Sequence, residues 1–324
     1  QELKEYMNAV GLDLFTEALR ETLKQFEQAD NFGSLIQPVL TDAAYVYQLL
    51  AEKTLGNNLF LFGIHERVLK VLRQGEYLSQ RYHVVLTNPP YMGGSGMNDE
   101  LKEFTKTHYP KSKADLFAMF IEGNLNLVKK HGLVGMITMQ SWMFLTSYEE
   151  LREDLIIKNN ILTMAHLGPR AFDSIGGEVV STTAFIIKNS FRSTCNGIYF
   201  RLVDGGNETE KSEMLKNEVA SFNNKKNVNC FEISPADFKK IPGSPIVYWV
   251  KNNIRDLFPG IPLNSIAHAK FGMSNGDRDF SRCWWEPAFK YIYFQSRNAL
   301  DFSGNRVWAP YDKGGPKRKW YGNH

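Results

Sequence analysis

The sequence predicts an α/β fold with a mostly parallel sheet, because short apolar runs alternate with amphipathic helical segments. The strand-like runs are residues 82–87, 133–139 and 161–167, of which 82–87 is typical of a short buried strand. The helical segments between these runs are residues 115–130 and 148–158. This order of strand, helix, strand, helix, strand is typical of parallel sheets. A further apolar run at residues 179–188 follows without a helix of normal length, so we expect that strand to be antiparallel.

Changes in composition divide the chain into four predicted segments. They are a helical lead-in at residues 1–80, a core at 81–205, a linker at 206–240 and the start of a second domain at 241–324. Apolar spacing and turn residues in the lead-in predict helices over residues 1–29, 41–52 and 64–78. We also expect residues 198–204 to extend the sheet and residues 246–257 to be helical.

Composition excludes several classes of protein. The 324 residues suggest about two domains. No apolar run approaches the ~18 residues of a membrane span, so no membrane contact is expected. The cysteines Cys195, Cys230 and Cys283 form no Cys-x-x-Cys pair, which argues against a metal site or a disulfide framework and fits a cytoplasmic protein.

Positive charge is concentrated in two clusters, although the net charge of +3 is too small to require a nucleic-acid partner. The first cluster, in the segment 81–205, consists of Lys102, Lys106, Lys111 and Lys113. The second, near the end of the chain, consists of Lys313, Lys317, Arg318 and Lys319. Such clusters can contact phosphates, but more often they form a solvated face.

The stretch Asn88-Pro89-Pro90-Tyr91 is the predicted active site, since it directly follows the strand at residues 82–87 and precedes a glycine-rich loop at residues 92–96. Ligands of open α/β sheets bind just outside the carboxyl ends of strands. A four-residue pattern also recurs by chance, and two prolines after a strand often form only a turn.

The residue types of this motif suit chemistry at the exocyclic amine of a planar base. Such an amine is a poor nucleophile, because its lone pair is delocalised into the ring. Two acceptors aimed at its hydrogens favour the reactive pyramidal form, and the Asn88 side-chain oxygen and the Pro89 carbonyl are candidates. Proline holds that carbonyl still because it fixes φ. Tyr91 offers a face on which a flipped-out base can stack, worth roughly 1–3 kcal/mol.

Three longer strings are more specific than the four-residue motif. They are Tyr91-Met92-Gly93-Gly94, the seven residues Lys111 to Phe117 and the eight residues Gly176 to Thr183. With them, nearly the whole chain resembles the adenine-specific DNA methyltransferases, most closely the large PglX-type enzymes of the bacterial BREX phage-defence systems. The resemblance implies part of a Rossmann-like S-adenosylmethionine-dependent methyltransferase sheet, followed by the start of a DNA target-recognition domain. It implies methyl transfer from S-adenosylmethionine to a flipped-out adenine in double-stranded DNA.

The resemblance also assigns residues to roles. It implies Asn88, Pro89, Pro90 and Tyr91 as catalytic residues, and Asp115, Phe117 and Asn31 as candidates for the cofactor pocket. Taken singly, Asp115 is equally typical of a helix cap and Phe117 of a core aromatic. Trp142 and Phe144 are candidates for a second stacking partner, although core packing is the more frequent role for such residues.

The chain departs from this family before the motif. The family's glycine-rich cofactor turn lies upstream of the catalytic motif, but residues 1–87 contain neither such a turn nor an acid for the cofactor ribose. We therefore expect an internal piece of a longer enzyme, with one sheet edge bare or covered by residues 1–80. Alone, the piece is expected to bind S-adenosylmethionine weakly or not at all. Residues 271–286 and 311–323 have the character of a recognition region.

Two other functions stay open on the sequence. A non-catalytic DNA-binding fragment is favoured by the missing glycine-rich turn. A methyltransferase for another planar amine, such as a protein glutamine or an RNA base, would share the motif but is usually compact, and residues 241–324 argue against it. Other proteins of the phage-defence system are expected partners besides DNA.

Overall fold

The computed structural model describes residues 2–11, 17–53, 59–173, 180–222, 228–261, 265–267, 282–283, 285–295 and 307–310. Contacts divide the chain into two units, residues 1–261 and 262–324, which are described separately. Outside the described residues lie residues 176–179 of the third string, the basic cluster at 313–319, the segment 311–323 and most of the segment 271–286.

One sheet forms the centre of the first unit. Its strands are β1 Tyr82–Thr87, β2 Val128–Met139, β3 Asn160–Gly168, β4 Thr182–Lys188, β5 Gly197–Arg201 and β6 Cys230–Ile233, in the spatial order β1-β2-β4-β3-β5-β6. The pairs β1–β2 and β3–β5 are parallel, whereas β4 is antiparallel to both of its neighbours. The α/β fold and the antiparallel fourth strand predicted from the sequence are confirmed.

Helices lead into the sheet and pack on it. They are α1 Glu2–Val10, α2 Glu17–Gln25, α3 Ala29–Phe32, α4 Ala43–Ala51, α5 Leu59–Ser79, α6 Asp99–His108, α7 Leu116–Leu127, α8 Glu149–Lys158, α9 Glu208–Ser221, α10 Pro235–Phe238 and α11 Asn252–Arg255. The predicted helical lead-in is confirmed, with α1, α2, α4 and α5 sharing an apolar core of their own. None of the helices in the described residues is both long and apolar enough to cross a membrane.

The main core lies on one face of the sheet. Residues of three central strands, Val134, Met164 and Phe185, pack there with apolar residues of α7 and α8. Alternate residues of each strand point to this face, because successive side chains in a strand point to opposite sides. The core therefore fixes α7 against β1, which ends at the motif, and against its neighbour β2.

Strand β1 is the edge of the sheet, paired only with β2 in the described residues. Its Val84 and Leu86 side chains are 52% and 77% exposed. The expectation that this apolar run is buried was wrong, because in the described part of the chain nothing covers the face to which Val84 and Leu86 point, whereas Val85, on the other face, packs against the main core. In the described residues, β1 thus has no second strand partner, and the prediction that this edge is bare or covered by residues 1–80 stays a prediction.

Several element boundaries differ from those predicted. The first helix, predicted over residues 1–29, ends at Val10; α5 begins at Leu59 and not at residue 64; and β2 begins at Val128 and not at residue 133.

The helix expected to reach residue 130 ends at Leu127, because the Asn189 side chain donates to the carbonyls of Leu125 and Val128 and the chain turns into β2. The helix expected over residues 246–257 is restricted to Asn252–Arg255. The residues before it form a turn instead, closed by the Val250 N–H to the Val247 carbonyl at 3.1 Å, and their Ile246 and Tyr248 side chains pack in the core.

The predicted linker contains regular structure. Helix α9 and strand β6 lie in residues 206–240, and β6 pairs with β5 at the far edge of the sheet. The first compact unit continues to Ile261. The division of the chain into domains at residues 80, 205 and 240 stays a prediction.

In the second unit, the described residues include a short 3₁₀ turn, Phe289–Tyr291, and an isolated β-bridge between Ile292 and Trp308. The Tyr293 N–H donates to the Trp308 carbonyl over 2.8 Å. The Phe289 side chain in this turn is exposed.

Arg152 of α8 ties two loops to the core. Its guanidinium is buried and donates to the carbonyls of Trp142 at 2.9 Å, Leu145, and Gly243 at 2.8 Å. The rigid fork of arginine suits several carbonyls at once. Arg152 thus fixes the loop that follows β2, at the same end of the sheet as the motif.

We expect Arg152→Met to lower the free energy of unfolding by about 3 kcal/mol or more, because it leaves buried carbonyls without donors. Urea unfolding followed by circular dichroism measures this change. Arg20→Met is the control, since Arg20 forms only an exposed pair with Glu17 at 3.5 Å, and should cost about 0.5 kcal/mol or less. Equal losses in the two variants would contradict the role of Arg152.

Candidate active site

Helix α7 holds the motif from both sides. Before the motif, the buried Asn124 donates from Nδ2 to Thr87 Oγ1 over 3.0 Å. After it, Asp115 Oδ1 accepts the Met92 N–H at 3.0 Å and the Phe117 N–H at 3.3 Å. Asp115 is therefore both the N-cap of the helix and the anchor of the loop.

Backbone hydrogen bonds reinforce this contact. The Leu116 N–H donates to the Met92 carbonyl at 3.1 Å, and the Gly94 N–H donates to the Ala114 carbonyl at 3.2 Å. Gly93 and Asp115 form an antiparallel bridge between the two segments. The glycine-rich loop, which its composition alone would leave free to move, is thus pinned beside the start of α7.

The motif residues alternate between anchored and accessible positions. Asn88 and Pro90 are exposed, whereas Pro89 is buried. The Tyr91 ring is half-buried and meets the buried Phe117 ring edge-on, with ring centres 6.0 Å apart and planes at 84°. A side-chain amide is therefore presented to solvent at the carboxyl end of β1, next to a fixed aromatic ring.

Burial sets the electrostatics around Asp115. Desolvation raises the pKa of its carboxyl above the ordinary value, although the backbone N–H groups of Met92, Phe117 and Leu116 oppose the shift. Desolvation, together with the Asp115 charge, also raises the pKa of Tyr91. Tyr91 therefore remains a neutral phenol at neutral pH, and its ring is suited to stacking.

The residues suggested for the cofactor have structural contacts of their own. Asp115 caps α7, and Phe117 is a core residue with 1% of its surface exposed. Asn31 exchanges a pair of 3.2 Å hydrogen bonds with the amide of Asn98. These contacts do not by themselves form a cradle for S-adenosylmethionine, so the cofactor role of the three residues stays a prediction.

The loop after β2 contains both candidate stacking residues, and the two differ in their exposure. Trp142 is fully buried against Phe185, so it belongs to the core. Phe144 is only half-buried, and its ring centre lies 6.1 Å from that of His166 and 5.8 Å from that of Trp249. Of the two, Phe144 has the accessible ring.

Three lysines of the cluster after the motif have acidic partners. Lys102 lies 3.8 Å from Asp99, Lys106 lies 3.7 Å from Glu103, and Lys111 pairs with Asp154. Exposed pairs of this kind contribute little to stability. A role of these lysines in phosphate contact stays a prediction.

Sequence reasoning missed a polar chain beside the motif. His166, only 5% exposed near the end of β3, lies with Nδ1 3.0 Å from the Tyr248 hydroxyl and Nε2 2.6 Å from Gln140 Oε1. Desolvation, with the charges of Arg201 and Lys211, lowers the pKa of His166 to about 4. One signal was available, since a histidine near the carboxyl end of a predicted strand is a candidate by position. Tyr248 gave no such signal.

The described residues contain no group of three or more His, Cys, Asp or Glu side chains that could hold a metal ion. The Asp115 carboxyl beside the motif is engaged by backbone N–H groups, and the groups that the motif itself offers are an amide, backbone carbonyls and an aromatic ring. This set suits a neutral, planar, hydrogen-bonding ligand.

Comparison with known proteins identifies relatives over nearly the whole chain. Residues 12–172 match the Eco57I restriction-modification methylase family. The chain is 41% identical over 315 residues to the adenine-specific methyltransferase BrxX of Escherichia coli O9:H4 (strain HS), covering 94% of this chain and 24% of that protein. It is 37% identical over 333 residues to the adenine-specific methyltransferase PglX of Lacticaseibacillus casei (strain Zhang), covering 99% and 27%. The chain thus spans about a quarter of the length of these curated relatives.

A solved structure with a related arrangement is that of a nuclease-deletion mutant of the Type ISP restriction-modification enzyme LlaGI in complex with a DNA substrate mimic. The TM-score is 0.43 at 20% identity, and the match covers 63% of this chain and 18% of that chain.

We expect Asp115→Ala to speed hydrogen exchange of the Met92 amide at least tenfold, because the substitution removes its acceptor, and to cost about 1 kcal/mol of stability. Asp115→Asn keeps an acceptor oxygen and should retain slow exchange. Asn207→Ala is the matched control, since Asn207 caps α9 by accepting the Glu210 N–H at 2.9 Å. Mass spectrometry measures the exchange rate of the Met92 amide in each variant. Equal rates in Asn207→Ala and Asp115→Ala would contradict the role of Asp115 as the anchor of the loop.

The buried His166 predicts a pH dependence of stability. Its folded-state pKa of about 4 lies below the ordinary 6.5, so between these values only the unfolded chain takes up the proton. The free energy of unfolding should therefore fall as the pH drops from 6.5 to about 4, by on the order of 3 kcal/mol. His166→Gln should remove this part of the pH profile in denaturant titrations. An imidazole that titrates near pH 6 by NMR in the folded protein would refute the expectation.

Proposed function

We propose that this chain, which belongs to the family of the adenine-specific methyltransferases, supplies the part of a DNA adenine methyltransferase that holds the target amine. The observation that carries the proposal is the exposed Asn88 amide, presented at the carboxyl end of β1 by a loop that α7 pins. The names of the relatives support adenine as the target, and the motif supplies the matching chemistry.

Asn88 and Pro89 act on the amine. The Asn88 Oδ1 and the Pro89 carbonyl each accept one N–H of the exocyclic N6 group, which draws the nitrogen toward the pyramidal form. The lone pair then leaves conjugation with the ring, which makes the nitrogen a better nucleophile. Pro89 is buried and its φ is fixed, so its carbonyl needs little reorganisation in the transition state.

Tyr91 acts on the base as a whole. An adenine inside a duplex is out of reach, so the target base must leave the stack, and an aromatic face recovers part of the lost stacking. The edge-on contact with Phe117 fixes the Tyr91 ring. Double-stranded DNA is therefore the proposed partner.

In this family, S-adenosylmethionine supplies the methyl group. The chain's own residues bind and orient the acceptor amine, and we assign no step of methyl delivery to them. A cytoplasmic location and contacts with other phage-defence proteins stay predictions.

We expect Asn88→Ala in the full-length protein to reduce transfer of labelled methyl groups into DNA roughly 100-fold or more, by analogy with removal of one transition-state hydrogen bond. Binding to DNA should change little, because Asn88 acts in the transition state whereas phosphate contacts carry most of the affinity. Radiolabel incorporation and fluorescence anisotropy measure the two quantities.

Ser95→Ala, an exposed change in the same loop, is the control and should leave both quantities unchanged. Unchanged turnover of Asn88→Ala would refute the assignment of this residue. DNA binding by the wild-type protein without any methylation would instead favour a non-catalytic DNA-binding protein.

A further inference from the structure

The polar chain Gln140–His166–Tyr248 lies at the same end of the strands as the motif, where β1, β2 and β3 have their carboxyl ends. Gln140 directly follows β2, and His166 stands near the end of β3, whose direction is that of β2. The segment after α10 brings in Tyr248, which is fully buried. Three separate parts of the sequence thus meet in one hydrogen-bonded line.

The Gln140 side-chain oxygen faces the imidazole, and this placement sets the direction of each hydrogen bond. The Gln140 oxygen can only accept, so His166 Nε2, at 2.6 Å, must carry the hydrogen. The neutral ring then has an unprotonated Nδ1, which accepts from the Tyr248 hydroxyl at 3.0 Å. Burial of His166, which disfavours its charged form, is consistent with this single tautomer.

The hydrogen bond to His166 sets the orientation of the Gln140 side-chain amide. Because its oxygen is held by His166, its NH₂ group faces the opposite way. Gln140 is half-buried, its backbone N–H donates to the Ser181 carbonyl at 2.9 Å, and among the described residues its side-chain nitrogen has no acceptor. Two N–H donors are therefore available to a ligand.

The sheet register relates these donors to the motif. Thr87 of β1 pairs with Met136 of β2; Asn88 follows this pair by one residue and Gln140 by four on the neighbouring parallel strand. The three additional residues correspond to about 10 Å along the strand direction, on a strand about 5 Å away. Two amides at that spacing can reach different edges of one planar base.

We propose that Gln140 is a base-recognising residue, which donates its amide N–H to an unprotonated ring nitrogen of the target adenine, and that His166 and Tyr248 are the positioning residues that keep the donor turned toward the base. The inference rests on the proposed function. Asn88 and Pro89 offer only acceptors to the amine, so Gln140 supplies the complementary donor that a ring nitrogen requires.

The test uses the full-length protein and DNA in which the target adenine is replaced by 1-deaza-, 3-deaza- or 7-deazaadenine. Each analogue replaces one ring nitrogen by C–H. At low substrate concentration, the wild-type protein should methylate one of the analogues roughly tenfold more slowly than adenine. The variants described below should show a smaller difference between adenine and that analogue. The analogue concerned identifies the ring nitrogen that is contacted.

Gln140→Glu keeps an oxygen for His166 but has no N–H donor, and Gln140→Leu removes both groups. In both variants the rate with adenine should fall, and the preference for adenine over the identified analogue should disappear. His166→Leu should weaken the same preference, an effect that general destabilisation would not produce. Phe222→Leu, on the half-exposed end of α9, serves as a remote control and should retain the full preference.

The outcomes separate the two levels of the proposal. If the wild-type protein methylates adenine and the variants keep the wild-type preference among all analogues, the role of Gln140 is refuted while the proposed function stands. If the preference is lost in Gln140→Glu but unchanged in His166→Leu, Gln140 recognises the base without the positioning chain. If the wild-type protein does not methylate adenine in DNA at all, the proposed function and this inference both fail.

Discussion

The hydrogen bonds between α7 and the two ends of the motif are the constraint on which the site depends. A loop of glycine and small residues has many conformations, and ordering it costs free energy. Here Asn124 fixes the residue before the motif, and Asp115 fixes the residue after it. Because α7 is itself embedded in the main core, the motif takes its rigidity from the packing of the sheet.

The position of β1 at the edge of the sheet explains why this constraint is needed. A central strand would be held by two neighbours, but β1 pairs only with β2 among the described residues. Its exposed side chains, Val84 and Leu86, contribute little to the core. The side-chain and backbone hydrogen bonds of α7 therefore hold the end of β1 in place, a role that a second neighbouring strand has for a central strand.

A second set of contacts orders the loop after β2. Arg152 holds the carbonyls of Trp142 and Leu145, and Met143 accepts the Ile246 N–H at 2.9 Å. Phe144 lies between these fixed points, and Gln140 is fixed through His166. The motif and this loop leave the neighbouring parallel strands β1 and β2 at the same end, so the carboxyl ends of these strands carry two independently braced segments.

The sequence by itself determined the elements whose signal is local. Alternation of apolar runs and amphipathic helices located β1, β3 and α8 within a residue or two, and an acid before an apolar helix marked the cap at Asp115. The four-residue motif and the longer strings gave the family, because their chemistry or specificity is contained in adjacent residues.

Only the tertiary structure decided which residues meet across long distances in the chain. The exposure of β1, the end of α7 at Leu127 and the non-helical path of residues 246–251 depend on neighbours that no local window contains. The same holds for the contacts of Asn124 with Thr87 and of His166 with Tyr248. Their polar side chains are stable in the interior because specific partners satisfy their hydrogen bonds, and those partners are brought together by folding alone.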